Sequence, residues 1–174
     1  MRQKQRLALK TAVEHWDCST TRFIDNELQK NGFRLIKMNW SAYQLLKHDR
    51  NHFTDLGFEI FCRDLSTILS IMGLTSISIV SDSTIGWFNY DNDYNFTNNG
   101  SKYLNKQLEK KGIKNQIIAI NGAGFKARHD EYLDFTNLID KISNAEYPIL
   151  MIGGWNDVQY NHIDISESIR KMLK

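Results

Sequence analysis

The strand-like run Ser76–Ser81 (SISIVS) leads straight into Asp82, Ser83 and Thr84. A serine just past a strand stands at the rim of a sheet, with backbone N–H groups near its oxygen, which is the setting of a nucleophilic hydroxyl. The same residue types also build ordinary turns. Asn121-Gly122-Ala123-Gly124 ends a second run, Gln116–Asn121 (QIIAIN). Its glycines let backbone amides face a small anionic group, and they equally suit a tight turn. Gly153-Gly154-Trp155-Asn156-Asp157 ends a third run, Pro148–Ile152 (PILMI). There the Asn156 side chain could donate to a developing oxyanion or simply cap a turn. Asp49 and His52 stand three residues apart in a further loop. If the backbone turns, the carboxylate can fix the imidazole tautomer and leave its other nitrogen to deprotonate a serine. The plainer reading is a surface histidine beside an acid. His129-Asp130 offers a rival pair, read as the first turn of a helix.

These loops need strands to aim them. Phe33–Met38 (FRLIKM), Ser76–Ser81 and Gln116–Asn121 follow Gly32, Gly73 and Gly112, and Pro148–Ile152 ends at Gly153-Gly154. Arg6–Val13 is ambiguous between strand and helix. Helical spacing relates Phe58, Phe61, Leu65, Ile68, Leu69 and Met72, then Tyr103, Leu104 and Leu108. It recurs over Tyr132–Ile142 and over Ile165–Leu173, the last with Asp164 or Ser166 as its cap. Strands alternating with helices predict parallel strands joined by helical crossovers, hence a doubly wound α/β sheet. Active residues in such sheets gather at the carboxyl ends of the strands. SDS, NGAG and GGWND all fall there.

Taken together, SDS, NGAG, GGWND and DxxH (Asp49 to His52) resemble the four signature blocks of the SGNH (GDSL-like) hydrolases. The resemblance covers most of the chain, although each motif is short. It implies a three-layer α/β/α sandwich on a five-stranded parallel sheet with flavodoxin-like strand order. It implies Ser83 as nucleophile, His52 as base, Asp49 as orienting acid, and an oxyanion hole of the Ser83 amide, the Gly124 amide and Asn156. Gly122 is the alternative amide donor, because NGAG is spaced more tightly than the family's usual block. Asp82, Thr84, Trp87 and Trp155 are then candidates for the substrate pocket.

Two departures stand out. Ser81 occupies a position where the family usually has glycine, and DxxH precedes SDS although it normally comes last. A circular permutation accounts for the order, since domain termini often lie close together. The sheet order would then be QIIAIN, SISIVS, PILMI, Arg6–Val13, FRLIKM, which keeps the crossovers right-handed.

The expected reaction is acyl transfer to water by a serine esterase, with no organic cofactor and no metal; His48 and His52 lack a third ligand. Trp87, Phe88, Tyr90, Tyr94 and Phe96 could stack on a sugar, line an acyl pocket, or form a loop packed on the domain. Without a long apolar lid, a small acyl group such as acetyl on a carbohydrate is favoured over the family's lipid and thioester substrates. Two rival classes are a catalytically silent binding domain and a flavodoxin-like ligand-binding domain with NGAG on a phosphate.

The bulk properties agree with one globular domain over residues 1–174: 41% hydrophobic, 24% charged, net charge +2. Scattered Lys and Arg predict no nucleic-acid partner. The absence of a signal-peptide pattern or a membrane-length apolar run predicts a cytoplasmic protein. Cys18 and Cys62 make no disulfide framework. Asparagine-rich composition also produces acceptor-type triplets at Asn39, Asn95 and Asn99 by chance.

Overall fold

The computed structural model describes residues 6–10, 26–37, 53–86, 99–126, 134–142, 147–154, 156–157 and 165–172. Its strands are β1 (Arg6–Lys10), β2 (Arg34–Lys37), β3 (Ser76–Ser81), β4 (Lys114–Ala119) and β5 (Ile149–Ile152). Its helices are α1 (26–30), α2 (Asp55–Ile71), α3 (Ser83–Gly86), α4 (Asn99–Lys110), α5 (Phe135–Asp140) and α6 (Ser166–Met172).

β4, β3 and β5 lie side by side and parallel. Ile79 at the centre of β3 is in register with Ile117 on one flank and Leu150 on the other. β1 pairs with the far side of β5, and β2 with the far side of β1, both parallel. The order across the sheet is β2-β1-β5-β3-β4. β3 and β5 have neighbours on both flanks, and both are buried along nearly their whole length. That double coverage is why β5 reads as an unbroken apolar run, whereas β3 buries Ser78 and Ser81 among its apolar residues. β4, at the edge, is half-buried from its second residue onward.

Because side chains alternate across a strand, each face of the sheet carries its own core. Ile77 and Ile79 of β3, with Leu150 and Ile152 of β5, pack against Phe58, Phe61, Leu65 and Leu69 of α2 and Leu104 and Leu108 of α4. Val80, Ile149 and Met151 point the other way, into Phe135 and Leu138 of α5 and Ile169 and Met172 of α6. The protein is therefore an α/β structure with helices against a parallel sheet. Among the described residues, no helix is long and apolar enough to cross a membrane.

The joints follow local rules. Thr54 caps α2, its hydroxyl accepting from the Gly57 amide at 3.2 Å. α2 and α4 both end in Schellman turns. The Leu74 amide reaches back to the Leu69 carbonyl and the Ile113 amide to that of Leu108, each across a glycine. Those closures turn the chain directly into β3 and β4.

The strand expected at Gln116–Asn121 (QIIAIN) sits two residues earlier, at Lys114–Ala119. Lys114 and Asn115 pair with Ser76 and Ile77, so backbone hydrogen bonding recruits polar residues that hydropathy passes over. Arg6–Lys10 resolves as strand. α5 runs over Phe135–Asp140 with Asp134 as its cap, and Tyr132 of the expected helical pattern lies outside the described residues.

α4 starts hard against the end of α3. A Cβ on Gly100 would overlap the Ile85 carbonyl oxygen and press on the Phe58 ring. Gly100→Ala is expected to cost about 1–3 kcal/mol by forcing the two helices apart. Urea denaturation measures this, and a midpoint equal to that of the native protein would refute the close approach.

Candidate active site

Three loops meet at the carboxyl ends of β3, β5 and β4. β3 continues in extended form through Ser81, so nothing there calls for a glycine. The turn comes one residue later. Asp82 Oδ1 accepts the Thr84 amide at 2.8 Å, an Asx turn that starts α3 at Ser83. Ser83 and Thr84 are half-buried, and Ile85 anchors α3 in the core it shares with α2 and α4.

Asn156 ties the three loops together. Its Nδ2 donates to the Ala123 carbonyl at 2.8 Å and to Asp82 Oδ2 at 3.4 Å. Each partner is the residue just before a sequence-predicted site residue, Gly124 in one case and Ser83 in the other. Asn156 is 8% exposed and Asp82 is 2% exposed. Asp82, expected in the substrate pocket, thus turns its carboxylate inward to Thr84 and Asn156.

Asp157 makes the second tie, and no role was read for it from sequence. Its carboxylate accepts the Phe125 and Lys126 amides, both at 2.7 Å, holding the end of the NGAG loop against the GGWND loop. It lies so close to the Gly124 Cα that a Cβ there would strike it. Glycine at position 124 is therefore required for loop packing, whatever its amide does. The Gly124 carbonyl in turn accepts the Phe135 amide at 2.7 Å, joining this loop to α5. Gly122 takes a left-handed conformation in the turn.

Burial pushes the Asp82 carboxyl up from its ordinary 3.8 to about 6. Hydrogen bonds from Thr84 oppose the rise, and the neighbouring Asp157 charge adds to it. The folded protein therefore holds this proton to higher pH than the unfolded chain does. Stability contributed by protonated Asp82 is complete below about pH 4 and is lost as pH rises through about 6. Across that window the native protein should lose on the order of 3 kcal/mol relative to Asp82→Asn, which has no proton to release. Urea titrations of both at pH 4.5 and 7 test this, and a pH-independent difference would contradict it.

Asp49, His52, Trp87 and Trp155 lie outside the described residues, as do His129-Asp130 and the aromatic segment 87–96. The residue that follows His52 is described. Phe53 is buried against α2, its ring stacked on Phe61 at 5.2 Å, and it belongs to the same core as Ile85. Ser83, Asp82, Gly124 and Asn156 are thus gathered at one sheet rim, with Asp157 as the brace that sequence reading missed. Its signal was an acid directly after Asn156, but the amides that explain it are 31 and 32 residues away.

No family model matches the chain, and no curated protein or solved structure matches it.

Proposed function

We propose that the chain is a serine esterase of the SGNH type, circularly permuted, with a flavodoxin-like three-layer arrangement of its sheet and helices. One observation carries the reading: Asn156 bonds at once to the residue before Ser83 and the residue before Gly124. A nucleophile, a backbone-amide donor and a side-chain amide donor are wanted at one point in acyl transfer, and these residues answer that need. A second support is that Phe53, the residue after His52 in sequence, and Ile85, two residues after Ser83, belong to one core.

In the proposed reaction His52, oriented by Asp49, takes the proton of Ser83 as its hydroxyl attacks an ester carbonyl. The oxyanion is met by the Ser83 and Gly124 amides and by Asn156. The Asn156 contact to Asp82, at 3.4 Å, is near the outer limit of a hydrogen bond, so that N–H can be shared with a developing charge. His52 then returns the proton to the leaving alcohol, and water repeats the sequence on the acyl-enzyme. A small acyl group on a carbohydrate remains the favoured substrate, with Thr84, Trp87 and Trp155 at its pocket.

A second reading is a binding domain without turnover. It is favoured by the acceptors that already face both N–H groups of Asn156 within the protein. A fluorophosphonate probe separates the two, because labelling requires an activated serine. Covalent mass added at Ser83 supports the esterase, and an unlabelled, folded protein supports the binding domain.

A further inference from the structure

We propose that Asp82 is a positioning residue, whose two carboxylate oxygens hold the turn carrying Ser83 and the side-chain amide of Asn156 in one fixed relation. The proposal rests on the esterase reading for its catalytic consequence, but its geometry stands alone.

The two oxygens do different work. Oδ1 accepts the Thr84 amide at 2.8 Å and so sets the first turn of α3. Oδ2 accepts from Asn156 Nδ2 at 3.4 Å. The Ala123 carbonyl, at 2.8 Å from the same nitrogen, fixes the amide from the other side. Asn156 is thereby held between the SDS and NGAG loops, and Asp82 decides which way its second N–H points. That direction is towards the residue adjoining Ser83.

The carboxylate has little room to do anything else. A Cβ on Gly153 would come within 2.7 Å of Oδ2 and 2.6 Å of the Phe135 ring, so β5 and α5 close over it. Among the described residues the charge that acts on it is that of Asp157, from the segment after β5. α5 presents the uncharged Phe135 ring, α3 presents Thr84, and Lys126 beyond NGAG is exposed. A buried carboxylate next to a second acid is costly to keep ionised. Its retention fits a task that an apolar side chain could not perform.

The task depends on ionisation at one oxygen. Proton uptake on Oδ2 would turn an acceptor into a donor facing the Asn156 N–H, while Oδ1 could still accept from Thr84. The Ser83 turn would survive, and the hold on Asn156 would not. Asp82→Asn, with Oδ1 towards Thr84, places an amide N–H in the same opposed position at every pH.

The test follows the Asn156 side-chain amide by ¹H–¹⁵N NMR from pH 4 to 8, its signals identified by their loss in Asn156→Ala. In the native protein they should shift with a midpoint near 6, and in Asp82→Asn they should not shift. Signals that stay still in the native protein, or that titrate alike in both, overturn the proposal. The native titration decides the matter even if Asp82→Asn does not fold. On p-nitrophenyl acetate, Asp82→Asn should lower kcat on the order of ten- to a hundredfold with KM nearly unchanged. Full kcat in a folded Asp82→Asn overturns the positioning role and leaves the esterase standing. A titrating Asn156 in a protein that neither hydrolyses the ester nor takes the probe supports the Asp82–Asn156 coupling and removes the esterase.

Discussion

Replacing Ser83 by alanine is expected to reduce hydrolysis of p-nitrophenyl acetate by roughly 10⁴-fold or more, leaving at most the residual acceleration that the oxyanion donors give. Loss of the nucleophile removes the acyl-enzyme route altogether, so the effect should fall on kcat and leave little to titrate. Stability should change by less than about 1 kcal/mol, because Ser83 is half-buried at the start of a short helix anchored through Ile85. The Asx turn that begins the helix uses the Asp82 side chain and the Thr84 amide, neither of which the substitution touches. Steady-state kinetics beside a thermal melt check both halves. Unchanged turnover in Ser83→Ala would reject the assignment, and a collapsed melt would mean that lost activity says nothing about nucleophilicity.

The largest effect on stability is expected at Asp157. Its carboxylate is the acceptor for two backbone amides, that of Phe125 being buried. Asp157→Ala leaves both donors without it, and a buried donor without an acceptor carries its desolvation cost uncompensated. The loss should be about 3 kcal/mol or more, against a total stability of roughly 5–15 kcal/mol for an ordinary domain. Urea denaturation should show a lower midpoint with the slope retained. Hydrogen exchange at Phe125 and Lys126 should quicken before exchange in β3 does, since the NGAG loop is released first. A native midpoint in Asp157→Ala would show that the two loops are held by something else. Asp157→Asn should fall between the two, because it keeps one acceptor and adds a donor facing an amide.

Asp82 and Asp157 illustrate opposite uses of a buried acid. Asp157 is matched by two backbone donors and stabilises the loops it joins. Asp82 has a strong bond on one oxygen and a long one on the other, and burial raises its affinity for a proton. A group that weakens the fold near neutral pH while pointing at the candidate site is the kind of local cost that functional sites carry.

Much of the scaffold was legible in the residues. SISIVS is β3 from end to end, its β-branched Ile77, Ile79 and Val80 marking a strand that sheet neighbours and helices then bury, Ser78 and Ser81 included. Gly73 and Gly112 announced the ends of α2 and α4, since few other residues close a helix in that left-handed turn. The helical spacing of Phe58, Phe61, Leu65 and Leu69 marks the buried face of α2. Local sterics and periodicity are written into neighbouring residues, so such features need no knowledge of the fold. Where β4 begins was less legible, because Lys114 and Asn115 join the strand through pairing with β3 and not through their own preference.

The site divides in the same way. SDS, NGAG and GGWND could be picked out as loops after strands, and parallel connections then oblige them to share one sheet end. Only the tertiary structure decided what their polar atoms face. Asp82, named for a substrate pocket, turns inward to Asn156, which lies 74 residues along the chain. Gly124, named for its amide, is also the position where nothing larger than hydrogen fits beside Asp157. Hydrogen bonds between distant loops depend on where the strands set those loops down. Residue types can state that a donor and an acceptor are present, but only the packing of the chain brings them within reach.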